Sequence, residues 1–400
     1  MKITNVRTRE TKETISLLAD CKIRRIGWDT VYFTFDKKYK GYLYEDASPF
    51  AAALLIPSIS LGEDLVINGS ISRKLYEGMQ QIGKKIFEWN ILANRAEVKA
   101  ERVVEDEPEL KPRHVGTFFS GGVDSFYTYL KHEHDKNDPI GHFVLMNGTD
   151  IDLRNKVLWK ATKENIQKIA ERSGVELIAV ETNIQVLLEP MISPDFTHGG
   201  ALAAVGLCLR KGLKKIYIPA TFSVEEQIPY GSHPELDHYW STETIQFDHD
   251  GTEATRFNKI DWQITKSPLA LEYLRVCYMN SKGTYNCGKC EKCLRTMISL
   301  YALGKLGDAK TFPSTIDPAR AKELAAHSGP VNMGIKQNLA KLHERNIDPP
   351  LQQALEEGLA SVTDDTKTNS HRLFKKIQYL DHMYFYGTAF RIWTNLKHRY

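Results

Sequence analysis

The chain has 400 residues, a formal net charge of +3, 42% hydrophobic residues and 26% charged ones. That balance suits a soluble globular protein of two or three domains and excludes a low-complexity chain, while a charge so spread out says little about nucleic acid. The longest apolar run, Phe50 to Leu61, is broken by Pro57, Ser58 and Ser60 and is too short to span a bilayer. Met1 to Arg7 offers no apolar leader segment, so a cytoplasmic protein with no membrane partner is expected.

Residues 1–100 read as an α+β accessory domain. Tyr32–Phe35 and Gly41–Tyr44 flank a polar stretch and predict a hairpin. A short strand over Asp64–Ile67 is expected to end at an Asn68-Gly69 turn. A helix from Ser72 to Asn90 follows, with Leu75, Met79, Ile82, Ile86 and Trp89 on one face, a core stripe. Charged, proline-bounded residues 101–112 read as a linker.

Residues 113–305 alternate strand and helix, which predicts an α/β domain, a parallel sheet with helices on both faces. The expected strands are 114–119, 142–147, 176–181 and 215–219; the expected helices are 124–135, 155–173 and 200–212. His198-Gly199-Gly200 could form an anion-binding turn before the third helix. The polar, aperiodic stretch from His233 to Lys259 reads as a substrate loop, with His233, Asp237, Arg256 and Lys259 as candidate contacts. Arg256 and Lys259 could neutralise an α-phosphate.

Residues 306–400 predict a helical C-terminal region. Asp317-Pro318 and Asp348-Pro349-Pro350 start helices, Ser328-Gly329-Pro330 ends one, and Asp364 to Ser370 is a polar loop. Basic and aromatic residues alternate over the last thirty positions, including Phe374, Trp393 and Tyr400. Docking of that segment on the main domain is favoured over a nucleic-acid surface.

Ser120-Gly121-Gly122-Val123-Asp124-Ser125 sits between the apolar run Val115–Phe119 and the helix that begins near Asp124. Two glycines let backbone N–H groups approach a phosphate, and the helix N-terminus adds partial positive charge. No lysine follows until Lys131, so the loop lacks the P-loop lysine that reaches β/γ-phosphates. It suits holding a pyrophosphate as a unit that is released.

Four of the six cysteines, Cys277, Cys287, Cys290 and Cys293, form a C-x9-C-x2-C-x2-C pattern. The spacing suits a tetrahedral S4 metal site with no open position, hence a structural zinc. An iron–sulfur cluster is the competitor, but the ferredoxin run continues with a fourth cysteine and proline, whereas Leu294-Arg295-Thr296-Met297 follows here. Cys208 lies in an apolar helical segment and reads as a core thiol.

The strand–SGGVDS–helix arrangement resembles the PP-loop ATP pyrophosphatases. Together with Cys277-Tyr278 and Cys287 to Arg295, it resembles 7-cyano-7-deazaguanine synthase over roughly residues 112–305, about half the chain. The extra N- and C-terminal segments, and Ile228–Asp237 where that family carries a Tyr-Pro-Asp-Cys-Arg-like segment, depart from it. The likeness is closer to enlarged synthase-like proteins, some linked to anti-phage systems. The resemblance implies an ATP-dependent carbon–nitrogen ligase using ATP, Mg2+ and Zn2+, with a deazapurine-like substrate activated as an adenylate and captured by ammonia or an amine. Ser120, Asp124 and Ser125 would be catalytic; Phe119, Gly121, Gly122, Val123 and Met146 would complete the ATP site. The zinc knob would brace a loop over it. Two alternatives remain: a tRNA-thiolating enzyme, and a non-catalytic or conjugating factor of a defence-type operon that binds a nucleotide or deazapurine, with a protein partner or macromolecular acceptor.

Overall fold

Ten strands form one sheet. In chain order they are β1 Lys2–Glu10, β2 Thr14–Ile23, β3 Gly27–Asp36, β4 Leu65–Ser72, β5 Val98–Val104, β6 His114–Phe118, β7 Ile140–Asn147, β8 Glu176–Thr182, β9 Leu213–Pro219 and β10 Gln246–Asp250. The computed structural model describes residues 1–23, 27–89, 96–107, 114–189, 192–279, 284–326 and 330–361. The helices are α1 Ser48–Leu61, α2 Arg73–Glu88, α3 Val123–His132, α4 Lys156–Ser173, α5 Ile184–Leu188, α6 Pro194–Cys208, α7 Arg256–Trp262, α8 Pro268–Tyr273, α9 Glu291–Ala302, α10 Pro318–Ala325, α11 Pro330–Arg345 and α12 Pro349–Ala360. The chain divides into two compact units, Met1–Glu253 and Ala254–Tyr400.

Strand order in the first unit is β10-β9-β6-β7-β8-β3-β2-β1-β4-β5. From β10 to β8 every neighbour is parallel. The junctions β8–β3, β3–β2 and β2–β1 are antiparallel, and the β1–β4 and β4–β5 pairs are parallel. Within the parallel part the chain starts at β6, moves outward through β7 and β8, then returns to lay β9 and β10 on the other side. The sheet therefore reverses direction between β6 and β9, the place where doubly wound sheets open a crevice beyond their strand C-termini.

Alternation of side chains along each strand assigns the two layers. Phe143 stacks on Phe119 with 4.0 Å between centroids and meets Tyr129 of α3 edge-on at 5.0 Å. Its neighbour Val144 points the other way, into a core shared with Phe118, Ile216, Ile218, Phe247, α1 and α6. Helix α1 is buried on all sides, with Pro57 inside it. An all-round apolar helix has nowhere to face but other protein.

The N-terminal segment departs from expectation in three places. Residues Lys37–Tyr42 form a 3-10 turn, so the hairpin pairs β2 with β3 instead, from Thr14↔Asp36 to Ile23↔Gly27. Strand β4 runs on through Asn68-Gly69 to Ser72, with an irregularity between Ile67 and Ser70. Residues Val98–Val104, expected partly as linker, are a strand beside β4. Helix α2 matches the predicted stripe: Leu75, Met79, Ile82 and Ile86 are buried, and the Ser72 side chain accepts from the Leu75 N–H. Residue 90 and residues 108–112 lie outside the described residues.

A buried ion triad ties the N-terminal segment to Arg210, two residues beyond the end of α6. The Arg210 guanidinium donates to both Asp46 oxygens at 3.1 and 2.7 Å and to Asp106 at 3.2 Å, with the Tyr44 ring 3.7 Å from its central carbon.

The second unit is helical among the described residues, and Leu294, Ile298, Leu324, Ile335, Leu342, Leu351 and Leu355 form its core. Asp317 caps α10 through the Ala319 N–H and Asp348 caps α12 through the Leu351 N–H, as their Asp-Pro signatures predict. Residues 328–329, the polar loop 364–370 and the basic–aromatic C-terminal segment lie outside the described residues. No described helix is long and apolar enough to cross a membrane.

Candidate functional site

The SGGVDS loop leaves the C-terminal end of β6, at the strand reversal. Gly121 has φ +76°, a left-handed conformation that glycine adopts without steric cost. The chain then turns through Gly122, the N-cap of α3, which has no side chain to cap the helix. The first N–H groups of α3 thus face the loop without a side-chain acceptor from the N-cap, and the helix dipole points there. Ser125 Oγ donates to the Gly122 carbonyl at 3.1 Å, and Ser120 is exposed.

The other residues of the expected ATP set are placed as follows. Phe119 is buried under the loop by its stacking on Phe143, with its N–H on the Val144 carbonyl at 2.9 Å. Val123 is fully buried, and Met146 lies at the end of β7, next to β6, with its side chain in the α1/α6 core. These side chains hold the loop and strand ends in place, and only their backbones are placed to meet a ligand.

Helix α6 packs closely against the segment 228–237. Helix α6 begins at Pro194, capped by Ser193, so His198-Gly199-Gly200 lies inside the helix and is not a turn preceding it. The glycines serve close packing. A Cβ on Gly199 would fall 1.9 Å from the Gly231 carbonyl oxygen, and one on Gly231 would fall 2.4 Å from that of Phe196. The Gly231 N–H donates to the Asp195 carbonyl at 2.7 Å, locking the two segments together.

This contact assembles polar residues distant in sequence. His198 packs on Tyr230 at 4.5 Å between centroids, and Phe222 meets Tyr230 edge-on. Burial raises the Tyr230 phenol, and the carboxylates of Asp195, Asp150 and Asp124 raise it further. Burial pushes His198 down, opposed by its Pro194 hydrogen bond and by Asp237, Asp195 and Asp150. Asp124 of the loop is therefore near enough to Tyr230 to act electrostatically on its phenol.

Asp237 is fully buried. Its Oδ2 accepts from Ser232 Oγ at 2.6 Å and lies 2.7 Å from His249 Nδ1. His233 packs edge-on against Trp89, its Nδ1 accepts from the Glu235 N–H at 3.1 Å, and burial lowers it. The expected loop between His233 and Lys259 contains β10 and α7, so its polar residues are placed by regular elements. Arg256 and Lys259 lie on α7 in the second unit, where Lys259 is fully buried and Arg256 donates to the Thr296 hydroxyl at 3.4 Å.

The second unit brings the four predicted cysteines together. The sulfurs of Cys277, Cys287, Cys290 and Cys293 all lie within 4.8 Å of one another, with Cys287–Cys293 and Cys277–Cys290 at 3.9 Å. Zn–S bonds of about 2.3 Å in a tetrahedron require sulfurs about 3.8 Å apart, so the set fits zinc. Gly288, at φ +67°, turns the chain so that the N–H groups of Lys289 and Cys290 point at Cys287 Sγ, at 3.4 and 3.2 Å. Cys290 is the N-cap of α9 and Cys293 lies in its first turn, where the dipole favours thiolates. Contact with Cys277 pushes up the Cys290 and Cys293 thiols, a crowding that a bound cation relieves.

Asn286, which sequence reasoning missed, staples this centre. Its Oδ1 accepts from the Val276 and Cys277 N–H groups at 2.9 and 3.2 Å, and its Nδ2 donates to the Leu274 carbonyl at 2.8 Å. Nothing in a lone Asn beside a cysteine announces that role. Among the described residues this is the one group of His, Cys, Asp and Glu side chains with metal-ligand spacing.

The first unit thus has the architecture of a doubly wound α/β protein with a glycine loop at its switch point, and the second that of a helical module with a four-cysteine metal centre. Comparison with family models, with curated proteins and with solved structures finds no match.

Proposed function

We propose that this chain is an ATP-dependent adenylating ligase of the 7-cyano-7-deazaguanine synthase type, a PP-loop enzyme that releases pyrophosphate. The observation that carries the reading is the position of Ser120–Ser125 at the C-terminal end of β6, where the strand order reverses and α3 begins. Backbone N–H groups of the loop and the Ser120 hydroxyl hold the β- and γ-phosphates, joined by the Ser125 hydroxyl once it turns from the Gly122 carbonyl. Asp124, in the first turn of α3, offers a carboxylate oxygen of the kind a hard cation prefers. Magnesium chelated by the phosphates supplies charge neutralisation. The protein need contribute only one or two carboxylates to it.

A substrate carboxylate attacks the α-phosphorus, and pyrophosphate leaves with the bonding electrons. Ammonia or an amine then attacks the acyl carbon and displaces AMP. Catalysis is positioning and charge stabilisation rather than covalent attack by the protein. Zinc on the four cysteines is structural, since four protein ligands leave no open position.

Thiolation of tRNA needs a sulfur-relay cysteine or an oxygen-sensitive cluster, and the two cysteines outside the metal set disfavour the relay route. Burial pushes the Cys21 thiol up to about 12 and the Cys208 thiol well above its ordinary value. Buried thiols of this kind are inert. The test is pyrophosphate and AMP release with ATP and magnesium, with and without 7-carboxy-7-deazaguanine plus ammonium. Stimulation by that acid is expected, and release indifferent to it would move the search to another acceptor.

A further inference from the structure

The Asp237–His249 pair joins the 3-10 turn Asp237–Trp240 to the C-terminal end of β10. His249 is the penultimate residue of β10 and pairs with Ile218 of β9. Continuing the β6–β9 register by one residue beyond Thr117↔Tyr217 brings Ile218 level with Phe118, two positions before Ser120. His249 therefore stands two strand spacings, about 10 Å, from the strand that presents the loop. Registered partners share a face, and Ile218 and Phe118 belong to the α1/α6 core, so the His249 side chain projects on the face that α6 covers.

The hydrogen bonding fixes its tautomer. Asp237 Oδ2 is bonded by both Ser232 Oγ and His249 Nδ1, so Nδ1 carries the proton and Nε2 presents a lone pair. Nε2 has no hydrogen-bond partner among the described residues, and the His249 side chain is 6% exposed. Ser232 is bonded to the carboxylate rather than to Nε2, so the trio is not a serine-nucleophile triad, which needs the hydroxyl on the distal nitrogen. His198 donates Nδ1–H to the Pro194 carbonyl at 3.1 Å and, among the described residues, has no carboxylate hydrogen-bonded to it.

We infer that His249, oriented by Asp237, is the base that takes the proton from the amine attacking the acyl adenylate; this rests on the adenylation reading. In that step the carbon–nitrogen bond forms and the acyl carbon–oxygen bond to AMP breaks. AMP leaves with the electron pair, and the nitrogen's surplus proton passes to His249 Nε2. Asp237 is the positioning residue and Ser232 fixes its carboxylate.

The test separates the two half-reactions in wild type, His249→Asn and His249→Gln, using ATP, magnesium, 7-carboxy-7-deazaguanine and ammonium. Asparagine keeps a donor to Asp237 and removes Nε2, so His249→Asn is the decisive variant; circular dichroism checks its fold, and His249→Gln provides a second variant lacking the imidazole. The expected result is amine capture slowed about 100-fold or more relative to pyrophosphate release. Equal loss of both half-reactions, or capture at the wild-type rate, would overturn the inference while leaving adenylation in place. A wild type that releases no pyrophosphate with this acid would overturn the adenylation of that substrate and the inference with it.

Discussion

Gly121 and His142 show how a single residue's environment becomes a measurable quantity. At φ +76°, an alanine at position 121 is strained by about 1–2 kcal/mol, a cost the fold can absorb. The loop N–H groups move, however, and pyrophosphate release by Gly121→Ala is expected to fall about tenfold for each 1.4 kcal/mol of lost transition-state binding. Steady-state pyrophosphate assays beside a thermal melt check both halves.

His142 lies at the opposite, N-terminal side of the sheet, on the Tyr42 hydroxyl at 3.2 Å and edge-on to His114. Burial, and then His114, lower it from 6.5 to about 4. The folded state refuses a proton that the unfolded chain binds, so stability is full above pH 6.5 and falls as pH drops towards 4. The loss is about 3 kcal/mol. Urea unfolding at pH 7 and pH 4 should show that loss in the wild type and not in His142→Phe; equal pH sensitivity in both would contradict it. The residues of the SGGVDS loop and the four cysteines were legible because their spacing is itself the signal. Asp195, Tyr230 and His249 were not, since tertiary packing through Gly199 and Gly231 is what brings them together.

At the scale of elements, the 3.6-residue period found the amphipathic helix, and short apolar runs between turn signals found the buried central strands. Helix α2 and the four central strands emerged with boundaries close to those observed. Helix α1 did not, because an all-round apolar segment has no period. Strand β10, with Gln246, Asp248, His249 and Asp250 in five residues, reads as a loop and is ordered by pairing with β9. The cysteine turn was legible but its brace was not. Asn286→Ala is expected to weaken zinc binding about 10–100-fold without removing a ligand. Competition with a colorimetric chelator measures this, and unchanged affinity would remove Asn286 from the centre. The purified protein should be colourless and carry one zinc per chain; a brown chromophore would indicate iron–sulfur instead.

Over the whole molecule, the N-terminal strands and the doubly wound strands share one sheet through Phe33↔Thr182, Thr34↔Glu181 and Phe35↔Val180. Asn183 reinforces the seam, accepting from the Tyr32 N–H and donating to the Thr30 carbonyl. Helix α1 adds Phe50, Leu54, Leu55, Ile56 and Ile59 to the core, each worth about 1.5–3 kcal/mol on burial. Their sum rivals the whole stability of a typical domain, so a chain beginning at residue 108 should not fold. Arg210→Met would leave Asp46 and Asp106 buried without a counter-ion and should cost about 3–5 kcal/mol in urea unfolding.

Adenylation at the Ser120–Ser125 loop is tested most directly by identifying the nucleotide products of wild type and Asp124→Ala, with ATP, magnesium, 7-carboxy-7-deazaguanine and ammonium. The wild type is predicted to yield AMP and pyrophosphate in equal amounts, and the folded variant neither. ADP and phosphate as products, or AMP formed equally well by Asp124→Ala, would contradict the assignment.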